Sequence, residues 1–341
     1  MEIAVEKKPG HRIAWAFALG YFAFYAPYSA LIKIVTEGRL SDVPAGLSGL
    51  ELLPVVLTGT IGSMLLFLTL AGWWRYMQKP SPALLASGIG TAIIIATTTV
   101  AYTFQGISIL FALLLMRAGV LILAPLVDLA LRRNVRWFCW LALGLSVIAV
   151  IVALFDITNY VFPLAAILNL AAYFAGYAIR LPTMTGCAKV DDRPTTRRYF
   201  VTEVIVAMAA LAVIAIGLTV VDAGAVPLWR TAALMPVLMI GVLYAGLYIY
   251  GTLVYLDRRE NTFCVPLNRG ASLLAGVVAA YGISAAFHVA PPPTMHLVAA
   301  GIIIGALVML SPAHHLFEVV QATAETVKKQ ADEKELRQSG P

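Results

Sequence analysis

The sequence predicts an all-α integral membrane protein with ten transmembrane helices, arranged as two inverted five-helix repeats. Three observations predict this fold: the composition, the recurrence of long apolar stretches, and a pattern shared by the two halves of the chain. Of the 341 residues, 60% are hydrophobic and only 12% are charged, and the mean hydropathy is +0.86. Soluble globular domains carry about 25% charged residues, so this chain belongs to a different class.

Apolar stretches of membrane-spanning length recur ten times. A helix needs roughly 20 mostly apolar residues to cross a hydrocarbon core about 30 Å thick. The stretches that meet this requirement lie near 13–35, 50–72, 83–103, 108–131, 136–155, 160–181, 200–221, 231–255, 265–287 and 295–311. The first has no small-residue cleavage site, so we expect it to be retained as a helix.

Lys and Arg concentrate on one side of the predicted spans, and this bias sets the orientation. The loops assigned to the outside hold only Arg39 and Arg230. We therefore predict cytoplasmic N- and C-terminal segments, residues 1–12 and 312–341. The cytoplasmic termini and the Ala- and Val-rich helices favour a bacterial inner membrane, and the alternative is an organelle membrane of a eukaryote. The net charge of +6 then reflects topology and anionic lipid, and we expect no nucleic-acid partner.

Motifs for catalysis or metal binding are missing from the sequence. The histidines have no metal-ligand spacing with acids or cysteines, and no phosphate-binding loop or nucleophile elbow occurs. Three cysteines are too few and too scattered for a disulfide framework, so we expect free thiols. We therefore expect no enzyme activity, no metal, no cofactor and no ATP hydrolysis by this chain.

A repeat relates the two halves of the sequence. The stretch “GYFAFYAPY” at 20–28 shares Tyr, Phe, Ala, Tyr and Ala in register with “AYFAGYAIR” at 172–180, an offset of 152 residues (172 minus 20). The same offset pairs Arg117 with Arg269 and pairs two glutamates in other helices. Three matches in register indicate a duplication.

The repeats are predicted to be inverted in the membrane. Each half, 13–155 and 160–311, holds five predicted spans, and an odd number makes the second half enter the membrane in the opposite direction. Inverted repeats are typical of secondary transporters, whose substrate site lies near the midplane between the halves. The repeat therefore favours a transport function.

Several segments resemble the drug/metabolite transporter superfamily. Its second helix begins with a segment similar to “LSGLELLPVVL”, and its Gly-punctuated helices that end each half are similar to “VRWFCWLALGLSVIAVIVAL” and “MHLVAAGIIIGALVML”. The Leu-Asn-Lys segment in helix 9 of nucleotide-sugar transporters resembles “CVPLNRGASLLAG”, with Arg269 at the Lys position. The branch that includes chloroquine-resistance-type transporters has a helix similar to “LLLMRAGVLILAPLVDLALRRNVRW”.

The resemblance covers residues 12 to 311 and is to the ten-helix EamA-like and nucleotide-sugar-transporter-like members of that superfamily. It implies two five-helix inverted repeats and alternating access to one central site.

Two arginines lie inside predicted spans, Arg117 in helix 4 and Arg269 in helix 9. An ionisable group in a spanning helix is costly and is by default a functional-site candidate. Guanidinium groups bind phosphate or carboxylate through paired hydrogen bonds, so two arginines without a central acid predict a site for an anion. The alternative is a structural role, with the side chains capping a helix or reaching toward the membrane surface.

Polar and aromatic residues share one face of helix 1 and one face of helix 6. Tyr21, Tyr25 and Tyr28 have helical spacing in helix 1, and Asn169, Tyr173, Tyr177 and Arg180 have it in helix 6. We predict that the substrate contacts Tyr21, Tyr25, Tyr173, Tyr177, Asn169 and also Asn268, beside Arg269. The alternative for the whole set is helix packing, with hydroxyls bonded to neighbouring helices, or an interfacial belt. Tyr28 and Arg180 lie near helix ends, where such a belt would be.

Three acidic residues complete the set. Our hypothesis is that Glu51 pairs with Arg117 to close the outer mouth, and that Glu203 pairs with Arg269 to close the inner mouth. Alternatively, each glutamate only stabilises the first turns of its helix. Asp128 is expected to be solvated at the cytoplasmic end of helix 4.

The sequence therefore predicts a secondary-active or exchange transporter of a small organic anion, such as a phosphorylated metabolite. A lipid flippase that takes an anionic headgroup through the same cavity is the first alternative. Export of drugs, amines or amino-acid-type metabolites is disfavoured, because a cationic substrate calls for a central acid. We expect membrane lipids and the small-molecule or lipid substrate as partners, and a monomer or homodimer.

Overall fold

The computed structural model describes residues 10–40, 47–104, 109–133, 135, 137–154, 163–189, 193–221 and 233–310. All regular structure in these residues is helical. The predicted N-terminal segment 1–12 lies mostly outside the described residues, and the predicted tail 312–341 lies wholly outside them.

Ten α-helices follow one another within the described residues, as predicted. They are α1 (Gly10–Thr36), α2 (Gly49–Leu70), α3 (Pro82–Ala101), α4 (Ile109–Ala130), α5 (Trp137–Leu154), α6 (Leu164–Ala188), α7 (Arg193–Val221), α8 (Leu234–Tyr255), α9 (Asn261–Phe287) and α10 (Thr294–Leu310). A short 3-10 helix, Trp73–Tyr76, lies between α2 and α3.

Eight of these helices, α1 to α4 and α6 to α9, are long and apolar enough to cross a membrane. The helices α5 and α10 carry shorter apolar stretches, Trp140–Val152 and Thr294–Ala306. Large apolar side chains also cover the outer surface of the bundle; Val213 and Met235, for example, are 71% and 73% exposed. The chain is therefore a multi-pass integral membrane protein.

Three helices extend further than hydropathy predicts. The helix α6 ends at Ala188 instead of near 181, α7 begins at Arg193 instead of near 200, and α9 begins at Asn261 instead of near 265. Hydropathy detects only the apolar part of a helix, whereas the backbone hydrogen bonds of the helix continue through polar residues beyond the hydrocarbon. Polar side chains in the extension of α7 make contacts there, as Arg197 does with the hydroxyl of Tyr76 at 3.0 Å.

Local sequence determines where α2 and α3 begin. The side chain of Ser48 accepts a hydrogen bond from the backbone N–H of Glu51, whose carboxylate accepts from the backbone N–H of Ser48. This reciprocal capping box satisfies two N–H groups that the first turn leaves unpaired. The helix α3 has Ser81 as its N-cap and Pro82 as its first residue, where a missing N–H costs nothing.

Eight helices form a closed ring, and two pack outside it. Around the ring, each helix contacts the next in the order α1, α9, α4, α6, α3, α7, α2, α8 and back to α1. The helices α5 and α10 pack against each other and against α4 and α9. The ring encloses the centre of the molecule, where side chains from α1, α3, α4, α6, α8 and α9 meet.

Glycine allows α2 and α8 to approach closely. A Cβ atom at Gly59 would lie 2.6 Å from the carbonyl oxygen of Leu238, which is shorter than side-chain carbons tolerate. Because the atom it meets is backbone, a rotamer change cannot relieve the overlap. Small residues at such crossings bring membrane helices together through close backbone packing.

Gly59→Ala is therefore expected to destabilise the protein, by about 1–3 kcal/mol if it behaves as other overpacking substitutions do. The measurement is the midpoint of thermal unfolding in detergent. Gly62→Ala is the matched control, because it lies one turn further along α2 and a Cβ there meets no atom within 4 Å. Equal midpoints for the two variants would contradict the close contact between α2 and α8.

Candidate functional site

The two arginines predicted from the sequence meet at the centre of the ring. Arg117 of α4 is 3% exposed and Arg269 of α9 is 2% exposed. Both donate to the same hydroxyl, that of Tyr173 on α6, from 2.8 Å and 3.2 Å respectively. Two like charges thus lie on either side of one phenolic oxygen, and a neutral group separates them.

Each of the two arginines also donates a hydrogen bond to a second tyrosine hydroxyl. Arg117 donates to the hydroxyl of Tyr25 at 2.6 Å, which in turn is hydrogen bonded to the hydroxyl of Tyr102. Arg269 donates to the hydroxyl of Tyr255, which hydrogen bonds to the side-chain oxygen of Asn268. The polar groups around both guanidinium groups are therefore neutral.

Aromatic faces also contact the two charges. The guanidinium carbon of Arg117 lies 5.3 Å from the ring centre of Tyr25, and that of Arg269 lies 4.7 Å from the ring centre of Tyr177. Cation–π contacts of this kind contribute about 2 kcal/mol or more when desolvated. They stabilise the buried charge without neutralising it.

Three donors at this centre have no acceptor. The Nε–H groups of Arg117 and Arg269 and the amide of Asn268 are buried and unpartnered, and in the described part of the chain no carboxylate pairs with either arginine. A buried donor that stays unpaired costs about 1–3 kcal/mol. The centre therefore has positive charge and donor groups to offer to an anion.

A small cavity lies beside the arginine centre, on the side of Arg117, and neither Arg269 nor Tyr173 lines it. This cavity of about 30 Å³ is lined by Arg117, Asn268, three predicted tyrosines (Tyr21, Tyr25 and Tyr177) and further residues of α3, α6 and α8. This volume holds one or two water molecules. An organic substrate would therefore enter only after the ring widens.

Arg180 and Glu203 form a buried ion pair beside the same cavity. The guanidinium of Arg180, which lines the cavity, donates to both carboxylate oxygens of Glu203 at 3.0 Å and 3.1 Å, and to the hydroxyl of Thr252 at 2.9 Å. Arg180 is 4% exposed and Glu203 is fully buried. The sequence offered an interfacial role for Arg180, and burial excludes it.

The predicted pairing of the two glutamates does not occur in this structure. Glu203 contacts Arg180 instead of Arg269, because α7 packs on α6 and α3 and does not lie beside α9 in the ring. Glu51 is at the N-terminus of α2, where its carboxylate takes part in the capping box with Ser48 at 2.6 Å. The two glutamates occupy matching sequence positions in different environments.

Asn169 lies apart from the arginine centre. Its amide donates to the backbone oxygen of Thr97 at 3.0 Å, and it lines a separate small pocket together with Phe104 and Met116. Asn169 is one helical turn from Tyr173 toward the start of α6. The polar and aromatic face of α6 therefore extends beyond the cavity.

Asp128 is fully buried, which corrects the expectation that it is solvated. Its carboxylate accepts four hydrogen bonds of 2.8–3.2 Å, from the backbone and side-chain groups of Asn261 and Thr262. These residues begin α9, so Asp128 of α4 caps a helix of the other half. An anion at a helix N-terminus is stabilised by the unpaired N–H groups and the helix dipole. We call these three residues the α4–α9 latch.

Further contacts surround the latch at the same end of the bundle. The amide of Asn261 also donates to the hydroxyl of Thr185 on α6, at 2.8 Å. Lys189, just past the end of α6, donates to the backbone oxygen of Arg259 at 2.8 Å, and burial lowers the pKa of its amine. Arg133 donates to the backbone oxygen of Arg258. The ends of α4, α6 and α9 are therefore held together here.

The remaining chemistry of the described residues is sparse. Among them, no group of three or more His, Cys, Asp or Glu side chains is placed to hold a metal ion. Cys264 is buried in the first turn of α9, and Cys187 near the end of α6 is partly exposed; both are free thiols.

Comparison with known proteins gives a structural match. No protein-family model and no curated protein matches the sequence. Seventeen chains of solved structures match the fold. One of them, from a “Crystal structure of protein”, has a TM-score of 0.60 and 15% sequence identity, over 86% of this chain and 95% of that chain. The fold of most of this chain therefore occurs in another protein, and at this identity the likeness concerns the fold alone.

The α4–α9 latch makes a prediction about access to the nearby thiol. Asp128→Asn replaces one charged acceptor oxygen by an amide donor, and each hydrogen bond to a charged group contributes about 1.5–3 kcal/mol. We expect Cys264 to react with N-ethylmaleimide roughly tenfold faster in the variant, because the latch opens more often. Mass spectrometry of the detergent-solubilised protein measures this rate, with the reaction of Cys187 as the internal reference.

Glu37→Gln is the control. Glu37 lies just past the end of α1 and forms ion pairs with Lys33 and Arg39, so it is an ion-paired acid that contacts neither the latch nor Cys264. The control is expected to leave the rate at Cys264 unchanged. If Asp128→Asn also leaves it unchanged, the latch does not restrict opening at this end.

Proposed function

We propose that this protein is a secondary transporter that carries a small organic anion across the membrane by alternating access. The observation that carries the proposal is the arginine centre: two buried guanidinium groups on one hydroxyl, with unpartnered donors and no carboxylate paired to them in the described residues. Such a centre suits a phosphate or carboxylate group, because guanidinium binds both through paired hydrogen bonds. The surrounding tyrosines supply an apolar wall with hydroxyl groups for the organic part.

The contacts between helices support two inverted repeats. Each helix of the first half has a counterpart five helices later, so that α1 corresponds to α6 and α2 to α7. Replacing every helix of the ring by its counterpart gives the same order of neighbours, followed in the opposite direction around the ring. The contact between α5 and α10 is preserved by the same replacement. A pseudo-two-fold axis in the membrane plane produces this kind of correspondence.

Contacts between side chains repeat in the same way. Phe24 lies against Gly246 and Ile94 lies against Gly176, and the offset of 152 residues converts one contact into the other. The ring centres of Tyr21 and Tyr25 are 5.2 Å apart, and those of the matching pair Tyr173 and Tyr177 are 4.9 Å apart.

The two arginines obey the same relation. The offset converts the cation–π contact of Arg117 with Tyr25 into that of Arg269 with Tyr177. The proposed site thus lies on the proposed axis, as expected for a site that opens alternately to the two sides. Membership of the drug/metabolite transporter superfamily is part of this proposal.

The proposal includes the orientation and the energy source. The end of the bundle with the latch also holds Arg75, Arg133, Arg197 and Arg258, and by the excess of positive charge we place it in the cytoplasm of a bacterial cell. A gradient or exchange of one anion for another drives transport, without a cofactor, a metal or ATP.

A lipid flippase is the second candidate, and one feature favours it. An apolar groove of about 340 Å³ lies on the outer side of α4 and α6, lined by Gly119, Leu123 and Phe174 among others. Gly119 is two residues from Arg117, and Phe174 is next to Tyr173. An acyl chain in this groove would bring an anionic headgroup toward the arginine centre.

The arginine centre predicts how ligands stabilise the protein. A ligand that binds only the folded state adds about 2.7 kcal/mol at a hundredfold excess over its Kd. We expect one class among phosphomonoesters, dicarboxylates and anionic lipids to raise the thermal midpoint of the purified protein. That rise should disappear in Arg117→Gln and in Arg269→Gln, because each variant removes one of the two charges.

Arg75→Ala is the control variant, because Arg75 lies in the exposed 3-10 helix. It is expected to keep the full ligand effect. Stabilisation by a soluble anion supports the transporter, and stabilisation only by anionic lipid supports the flippase. Stabilisation by organic amines, or by anions equally in all variants, would overturn the site.

A further inference from the structure

We propose that Glu203 is the proton-binding group of this protein, and that substrate binding to Arg180 makes Glu203 take up one proton that then moves together with the anion. The inference rests on the proposed transport function and adds the coupled ion. The observation behind it is the ion pair of Arg180 and Glu203: an arginine that lines the cavity is already neutralised by a buried carboxylate. Anion transport alone does not require such a pair.

Arg180 connects the carboxylate with the cavity. Its guanidinium lines the cavity together with Arg117, whereas Glu203 lies behind it and is fully buried. An anion in this cavity is therefore within reach of both Arg117 and Arg180, and it competes with Glu203 for the N–H groups of Arg180. The ion pair acts as an internal substitute for the substrate.

Loss of Arg180 leaves Glu203 as a buried charge among neutral groups. The penalty for an unpaired charge in such a place is several kcal/mol, and protonation removes it. The step is balanced: the substrate anion forms hydrogen bonds to Arg180, and a carboxylate oxygen of Glu203 binds a proton that hydronium in the aqueous phase delivers, leaving neutral water behind. One negative and one positive charge enter together, so the net charge of the closed site does not change.

The neighbours of Glu203 are suited to both forms of the carboxyl group. Besides Arg180, its oxygens accept hydrogen bonds from four hydroxyl groups, at 2.6 Å from Ser87, 3.1 Å from Thr91, 3.1 Å from Tyr199 and 3.4 Å from Tyr248. A hydroxyl group can accept a hydrogen bond as well as donate one. Protonated Glu203 can thus donate to a neighbour without leaving its position.

Arg180 is the cation that determines this charge among the described residues packed around Glu203. The other titratable side chains that contact Glu203 are few: Tyr248 comes from α8, Tyr199 from α7 itself, and α3 has none in its described sequence. The remaining arginines of α7, Arg193, Arg197 and Arg198, lie in its first two turns, and α6 also carries Tyr177. The only titratable residue of α2 is Glu51, which lies at the N-terminus of that helix, in the capping box with Ser48. The 3-10 helix contributes Arg75 and Tyr76, and Tyr76 is bonded to Arg197. Proton binding at Glu203 is therefore governed by the position of Arg180.

The first test needs no substrate. Arg180→Gln imitates the loss of the guanidinium, so Glu203 is expected to be protonated at neutral pH. Infrared spectroscopy of the full-length reconstituted protein should show a buried protonated carboxyl band in Arg180→Gln. The band should be missing from the wild type and from the double variant Arg180→Gln/Glu203→Gln. Absence of the band from a folded Arg180→Gln would overturn the inference.

The second test measures coupling in proteoliposomes, with glycerol 3-phosphate, inorganic phosphate and succinate as the probes. If one proton moves with each singly charged anion, no net charge crosses the membrane. The ratio of inside to outside anion concentration should then rise about tenfold for each pH unit by which the outside is more acidic. Glu203→Gln should lose this dependence on the gradient, because Gln cannot exchange a proton. Glu51→Gln, the matching position in the first half, should retain it.

The outcomes separate the two proposals. If no probe is transported or bound, the anion-transport proposal fails, and the infrared result still decides whether Arg180 controls the proton on Glu203. If a probe is transported and Glu203→Gln keeps the full response to the gradient, the coupling role of Glu203 is wrong and transport stands. Glu203→Gln keeps the size and most hydrogen bonds of the side chain, so this test does not depend on the folding of Arg180→Gln.

Discussion

Uncompensated positive charge at the centre of the helix ring is the constraint on which the rest of this structure depends. A charged side chain inside a membrane protein is costly unless the protein supplies partners. Here the partners of Arg117 and Arg269 are tyrosine hydroxyls and aromatic faces, which stabilise the charges and leave them unneutralised. The tyrosines on α1 and α6 are therefore required at these depths, and so is the close packing that positions them.

Two other polar clusters lie toward the end of the bundle that is rich in arginine. The buried pair of Arg180 and Glu203 adds a charge that is balanced inside the protein, in contrast to the two central arginines. The carboxylate of Asp128 connects α4 with the start of α9, so helices of the two halves are held together at this end. The three clusters differ in charge balance. In our account the arginine centre binds the substrate, the pair of Arg180 and Glu203 binds the proton, and the α4–α9 latch closes this end of the bundle.

Much of the fold could be predicted from the sequence, because a bilayer requires long apolar helices and leaves a clear pattern. The ten helices, the burial of both arginines and the proximity of Tyr25 and Tyr173 to them follow from span length, helical spacing and the repeat. The helix ends near Ala188 and Arg193 were less predictable, since polar residues continue a helix beyond the hydrocarbon.

Contacts between helices were the part that the sequence could not supply. Glu203 was assigned to Arg269 because both lie toward one side of the membrane, but which helices are neighbours is decided by packing. The depth of Asp128 in its helix did not indicate that the start of α9 would cover it. For Arg180 a usable signal existed, because it continues the helix face of Tyr173 and Tyr177 by one turn.

An experimental structure with a stabilising anion bound tests the central claim most directly. Our account predicts that the anionic group lies between Arg117 and Arg269 and accepts hydrogen bonds from both guanidinium groups, including their now unpartnered Nε–H groups. The hydroxyl of Tyr173 should then have given up at least one of its two arginine contacts. An anion bound elsewhere, with both arginines still on Tyr173, would contradict the account and make the arginine centre a purely structural element.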